Sequence, residues 1–164
     1  MVRGCELHIA ADAGALGPLV ADRLCAAVGR APRGYIGLAT GATPLRIGLW
    51  SELAARGRAG GGTDMSAVTF VNPDEFLGLP PGHPECYASY LARHLGAHVS
   101  ARIAVPVDLA AAVALEAAAA AGGGFEFFLL GMGVNGHIGF FEPAADGLPA
   151  VAYEPRIAEV NRAR

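Results

Sequence analysis

Three short stretches of this sequence hold the residue types that do chemistry. Thr40-Gly41-Ala42-Thr43-Pro44 offers backbone N–H groups, a hydroxyl at Thr43 and a proline suited to a first helical turn. Placed between a strand and a helix, such a turn forms a cradle for an anion such as phosphate, because the N–H groups and the positive helix end face the ligand. The same residues also read as a plain turn with Thr43 as N-cap. No Gly-Lys-Ser/Thr follows, so this is not a P-loop. Asn72-Pro73-Asp74-Glu75 supplies two carboxylates, fit for proton transfer or for capping a turn. The third stretch, FEFFLLGMGVNGHIGFFEP at residues 125 to 143, sets Gly131, Gly133 and Gly136 in a G-x-G-x-x-G spacing just before His137 and Glu142.

A dinucleotide-binding fingerprint needs its third glycine to open a helix, with an acidic residue about 20 positions on at the end of the next strand. Here His137-Ile-Gly-Phe-Phe-Glu-Pro143 follows, a poor helix start. Glu154 stands near the expected distance, but no second strand–helix unit is visible after Gly136. The glycines are better read as allowing tight turns that bring Asn135, His137 and Glu142 inward. His137 taken alone fits a hydrogen-bonded structural histidine as well as a catalyst.

These stretches need elements to position them. Short β-branched or aromatic runs alternate with segments of helical period, which predicts an α/β fold: an open, mostly parallel sheet with flanking helices. Residues 6–11 read as a first strand, and Asp12 as the N-cap of a helix with Leu16, Leu19, Val20, Leu24 and Val28 on one face. Residues 35–39 read as a second strand, followed by a helix presenting Leu45, Leu49 and Leu53. Residues 67–71 are a third strand; a Pro/Gly-rich loop leads to a helix carrying Tyr87, Leu91 and Leu95. A short strand at 103–107, a helix at 109–121 and a strong buried strand at 125–130 complete the pattern. Each of the three chemical stretches then leaves the carboxyl end of a parallel strand, the edge where open α/β sheets bind ligands.

Composition excludes more than it assigns. The chain of 164 residues has room for one domain with a real core. Its formal net charge of −3 gives no bulk attraction to nucleic acid or to an anionic membrane, so an anionic ligand must be held locally. Cys5, Cys25 and Cys86 are far apart and odd in number, which argues against a disulfide framework or a zinc site and fits a reducing cytoplasm. No signal peptide is visible, and the alanine-rich run around 113–121 is too short and too weakly apolar to span a bilayer.

Taken together and in order, the three stretches resemble the glucosamine-6-phosphate deaminase family, whose fold is shared with 6-phosphogluconolactonases and ribose-5-phosphate isomerases. The carriers are Gly37-Leu-Ala-Thr-Gly-Ala-Thr-Pro44, then Val71-Asn-Pro-Asp-Glu-Phe-Leu-Gly-Leu-Pro80 with His83-Pro-Glu-Cys-Tyr87, then Gly131-Met-Gly-Val-Asn-Gly-His-Ile-Gly-Phe-Phe-Glu-Pro143. Phe76 and Gly139-Phe-Phe-Glu-Pro143 side with the deaminases rather than the lactonases. The resemblance implies an isomerising deamination of glucosamine 6-phosphate to fructose 6-phosphate and ammonia, in the cytoplasm, with no cofactor and no metal. Asp74 would be the base at C2, and His137 the acid that opens the sugar ring, oriented by Glu142 and Asn135. Gly41, Ala42 and Thr43 would hold the phosphate, with Arg162 or Arg164 as the arginine of a lid-like segment. The implied partner is a small sugar phosphate, with no nucleic acid or membrane; the oligomeric state is left open, a homo-oligomer included.

The sequence departs from the family pattern at several places. Asn135 stands where some members carry Asp, Ala42 replaces a glycine, Cys86 a serine and Phe141 an asparagine. The chain has no lysine, although full-length relatives complete the phosphate site with one, and it reads as shortened at its C-terminal end. Two other functions are compatible with the pattern: a 6-phosphogluconolactonase-type hydrolase, and a non-catalytic sugar-phosphate-binding module.

Overall fold

The computed structural model describes residues 6–58, 62–76, 78–96, 102–106, 108–134 and 136–139. Helix α1 spans Ala13–Arg30, and its N-cap is Asp12, whose Oδ1 accepts a hydrogen bond from the Ala15 N–H at 2.9 Å. This cap satisfies one of the donors left over at a helix start. Asp12→Ala is expected to lower stability by about 1 kcal/mol, read as a lower urea midpoint with an unchanged slope.

Strand β1 is Tyr35–Leu38, followed by two helices, α2 at Ala42–Arg46 and α3 at Leu49–Arg58. The single helix expected over this stretch is divided at Gly48, which takes a positive φ of 69°. The division separates Leu45, 47% exposed, from Leu49 and Leu53, which are fully buried. Strand β2 is Thr69–Val71; helix α4, Tyr87–Leu91, runs into a π-helical turn at Ala92–Gly96; strand β3 is Arg102–Ala104. Helix α5 covers Leu109–Ala121, as the sequence predicts, with Asp108 as its N-cap, and strand β4 covers Phe125–Leu129.

The four strands form one parallel sheet in the order β3-β2-β1-β4. The mixed α/β class with a parallel sheet and flanking helices is therefore as the sequence predicts. Two strand expectations need correction. Residues 6–10 are irregular rather than a strand, with Leu7 and Ile9 exposed. Strand β4 is not buried: among the described residues it ends the order, and Phe125 and Phe128 are each 38% exposed. The core is made by Ile36, Leu38 and Phe70 from the sheet with Leu24, Val28, Leu49, Leu53, Leu91 and Leu95 from the helices.

The order of the strands decides where a ligand can enter. From β1 the chain builds outward through β2 to β3, then returns to the opposite side of β1 with β4. The strand order therefore diverges at the β1/β4 pair, the kind of switch point at whose carboxyl ends open α/β sheets form a ligand crevice.

Candidate active site

A cavity of about 380 Å³ lies at that divergence, within the usual range for small-molecule sites. Thr40, Gly41, Ala42 and Thr43 line it from the loop after β1, Pro73 and Asp74 from the loop after β2, and residues 130 to 134 with His137 and Gly139 from the loop after β4. Tyr87, the first residue of α4, closes one side. The three stretches singled out by sequence thus share one cavity. Among the proposed site residues, Gly41, Ala42, Thr43, Asp74 and His137 are brought together there. Asn135, Glu142, Arg162 and Arg164 lie outside the described residues.

The cradle differs from the sequence reading in its cap. Gly41, not Thr43, is the N-cap of α2, and Thr43 sits inside that helix. The cap makes no side-chain hydrogen bond, so it does not use up the donors of the first turn.

Asp74 is held at two of its atoms by one neighbour. The Asn72 amide donates to the Asp74 backbone carbonyl and, at 3.0 Å, to Asp74 Oδ1. Asn72 is itself fully buried, and its own N–H continues the sheet by donating to the Ala104 carbonyl at 3.1 Å. The carboxylate is thus hung from the end of β2 by a neighbour two residues away. Burial pushes the Asp74 carboxyl above its ordinary value; the Asn72 hydrogen bond opposes this and the charge of Glu75 adds to it. A half-buried carboxylate with a raised pKa is a better proton acceptor than an exposed one.

Glu75, 7% exposed, points away from this chemistry and does structural work. Its Oε1 accepts from the N–H groups of Phe76 and Tyr87, both at 2.9 Å, and its Oε2 from Ala88 at 3.0 Å. Cys86, the N-cap of α4, makes no side-chain cap, so Glu75 supplies the missing acceptors from 12 and 13 residues away. The positive end of α4 also favours this anion. Glu75→Gln is expected to cost about 1–3 kcal/mol, because one acceptor becomes a donor facing buried N–H groups. The same change removes a like charge beside Asp74, so the acid limb of any activity profile moves to lower pH. An unchanged melt and an unshifted limb would contradict both roles.

The loop after β4 answers the question posed by its glycines. The Gly133 N–H donates to the His137 carbonyl at 2.8 Å, and the Gly136 N–H to the Gly133 carbonyl at 2.9 Å, closing a tight turn. A Cβ at Gly133 would stand 2.1 Å from His137 Cε1 and 2.4 Å from both ring nitrogens. The imidazole therefore lies on the Gly133 backbone, where no other residue leaves room. At Gly139, where φ is +59°, an added Cβ would lie 3.1 Å from Asp74 Oδ2, so the Asp74 carboxylate comes close to the loop that carries His137. The pattern serves the histidine and the aspartate rather than a pyrophosphate.

Sequence reasoning assigned no site role to Asn72 or Tyr87, and it left Glu75 between proton transfer and capping a turn, although all three stood inside the quoted stretches; the capping role is the one Glu75 takes, at the start of α4. The signal was the continuous Asn-Pro-Asp-Glu run: a buried strand end needs polar partners for its carboxylate, and its neighbours are the nearest supply. Among the described residues no cluster of three or more His, Cys, Asp or Glu side chains could hold a metal, and no helix is long and apolar enough to cross a membrane.

Comparison with known proteins bears out the resemblance. The chain is 40% identical over 148 residues to a glucosamine-6-phosphate deaminase of Streptomyces avermitilis, covering 85% of this chain and 56% of that protein. Among solved structures it is similar to a monomeric glucosamine-6-phosphate deaminase, with a TM-score of 0.69 and 28% identity, over 79% of this chain and 56% of the other. A 6-phosphogluconolactonase of Shewanella baltica, with a TM-score of 0.57 and 20% identity over 77% of this chain and 56% of its own, shares the fold. The chain spans about half the length of the curated relatives it matches. No protein-family model matches it.

Proposed function

We propose that this chain, a homologue of the glucosamine-6-phosphate deaminases, converts glucosamine 6-phosphate to fructose 6-phosphate and ammonia in cytoplasmic amino-sugar catabolism. The observation that carries the reading is the meeting of three strand-end loops at one cavity, with Asp74 half-buried against the loop that carries His137.

The chemistry assigns each loop a task. The N–H groups at Gly41, Ala42 and Thr43 receive the phosphate, with Arg162 or Arg164 as its charged partner. His137 opens the sugar ring as an acid, its tautomer set by Glu142 and Asn135. Asp74 takes the proton from C2 of the open aldose; the electron pair left behind forms the C1–C2 double bond, the carbonyl pair moves onto the C1 oxygen, which takes up a proton, and the product is an enaminol. Returning the proton to C1 gives a C2 imine, which water hydrolyses to the ketose and ammonia. Proton removal and return need one base and no redox partner, which matches a site built from a carboxylate and an imidazole. The likeness to lactonases, at 20% identity, speaks for the fold alone.

The test is a parallel assay of the purified chain with glucosamine 6-phosphate and with 6-phosphogluconolactone. Ammonia and fructose 6-phosphate in equal amounts from the first, with no hydrolysis of the second, is the expected result. Hydrolysis of the lactone alone would replace this reading, and tight sugar-phosphate binding without turnover of either would make the chain a binding module.

A further inference from the structure

Tyr90 does not line the cavity, yet its hydroxyl reaches the loop that does. It is 2.8 Å from the Gly41 carbonyl oxygen, and the Trp50 indole nitrogen is 3.0 Å from the same hydroxyl. The direction of both bonds is fixed by chemistry. An indole N–H only donates and a backbone carbonyl only accepts, so Trp50 donates to Tyr90 and Tyr90 donates to Gly41. The ring itself is clamped, edge-on to Trp50 at 6.0 Å between centroids and tilted against His94 at 4.5 Å.

Gly41 is the residue of the cradle that most needs such a restraint. Its φ of 103° and ψ of −166° lie where side-chain-bearing residues rarely go, and glycine alone leaves the following peptide free to rotate. In a trans peptide the carbonyl of one residue and the N–H of the next point in opposite directions. The carbonyl held by Tyr90 therefore turns the Ala42 N–H to the other side, away from Tyr90. A rotated peptide would instead direct a carbonyl oxygen at an incoming phosphate.

We propose that Tyr90 is a positioning residue for the anion cradle: its hydroxyl, oriented by Trp50, fixes the Gly41–Ala42 peptide with the N–H toward the substrate phosphate. This rests on the sugar-phosphate reading given above. Burial raises the Tyr90 pKa above the ordinary tyrosine value, so the hydroxyl keeps its proton and remains a donor through the neutral range. Helix α4 carries Tyr90 near its end while Glu75 caps its start, so one short helix braces both the cradle and the loop that bears Asp74.

Tyr90→Phe keeps the ring and its contacts and removes only the hydroxyl. Calorimetric titration of the 164-residue chain with glucosamine 6-phosphate, and separately with inorganic phosphate, is expected to show Kd rising about fivefold to twentyfold for both. KM should rise in parallel, with kcat changed less than about twofold, because phosphate binding lies away from the reacting carbons. Trp50→Phe, which leaves the hydroxyl but not its orienting donor, should weaken binding by a smaller factor. A lowered melting temperature with both Kd values unchanged would mean a merely structural tyrosine and overturn the proposal. Wild-type chain that binds neither ligand would overturn the sugar-phosphate reading and this inference together; wild-type binding matched by Tyr90→Phe would overturn this inference alone.

Discussion

Asp74→Asn is expected to remove turnover of glucosamine 6-phosphate by about 10²–10⁴-fold, the usual loss for a positioned general base, while leaving the chain folded. Asparagine keeps the shape and can still accept the Asn72 hydrogen bond, so only the ability to take a proton is lost. The pH behaviour follows from the direction of the Asp74 shift. Its pKa is raised in the folded protein by burial first, so the base form appears at higher pH than for an ordinary aspartate, and activity is lost as pH falls through that raised value. Stability runs the opposite way. A carboxyl with a raised folded pKa contributes fully only below its unfolded pKa, and that contribution is lost as pH rises through the folded value. Asp74→Asn should therefore melt at the same temperature as wild type or slightly higher at neutral pH, which thermal melts across pH can check. Retained activity, or a strongly destabilised variant, would contradict the role assigned to Asp74.

Gly133→Ala is the second large effect, and it acts without replacing any ionisable group. The new methyl would sit 2.1 Å from His137 Cε1, against about 3.5–4.0 Å for a comfortable carbon–carbon contact. The imidazole must move by more than about 1 Å, a displacement that typically costs on the order of 10²-fold in rate. Phosphate binding should survive, because Gly41, Ala42 and Thr43 lie on a different loop. The expected signature is a kcat lowered about a hundredfold with the Kd for inorganic phosphate within about twofold of wild type. A kcat close to wild type would show that the position of His137 does not matter for turnover.

Much of this architecture was legible from local chemistry. Asp12 and Asp108 cap their helices because a short acidic side chain can reach the free N–H groups of a first turn, a relation written entirely within four residues. The convergence of three loops followed from one rule about parallel sheets, since each stretch directly followed a strand. What failed depended on partners far away in sequence. Residues 6–11 alternate as a strand should, but alternation names the apolar face and not whether a neighbouring strand is available to pair. The aromatic run at 125–130 reads as a buried strand for the same reason. Its edge position in the order β3-β2-β1-β4 is a property of the sheet rather than of the run.

The site divides along the same line. The glycine spacing at 131 to 136 fits a nucleotide motif by pattern alone, and the poor helix start after Gly136 and the lack of a second strand–helix unit argued otherwise. Its physical cause, the seat of the His137 ring on Gly133, is a contact within five residues that no periodicity reveals. Glu75 beside Asp74 looks like a second catalytic carboxylate in the sequence, yet its three backbone donors make it the cap of a helix 12 residues on. Tyr90 carried no signal at all, because its partner Gly41 is 49 residues away and the bond is to a backbone carbonyl.

The most direct measurement of the central claim is the fate of the C2 hydrogen of glucosamine 6-phosphate, followed by proton NMR in D2O with the purified chain. The expected result is loss of the C2 proton signal as fructose 6-phosphate appears, and its persistence when Asp74→Asn is used instead. A C2 proton that stays intact on substrate saturating the wild-type chain would show that the three loops bind a sugar phosphate without transferring its proton.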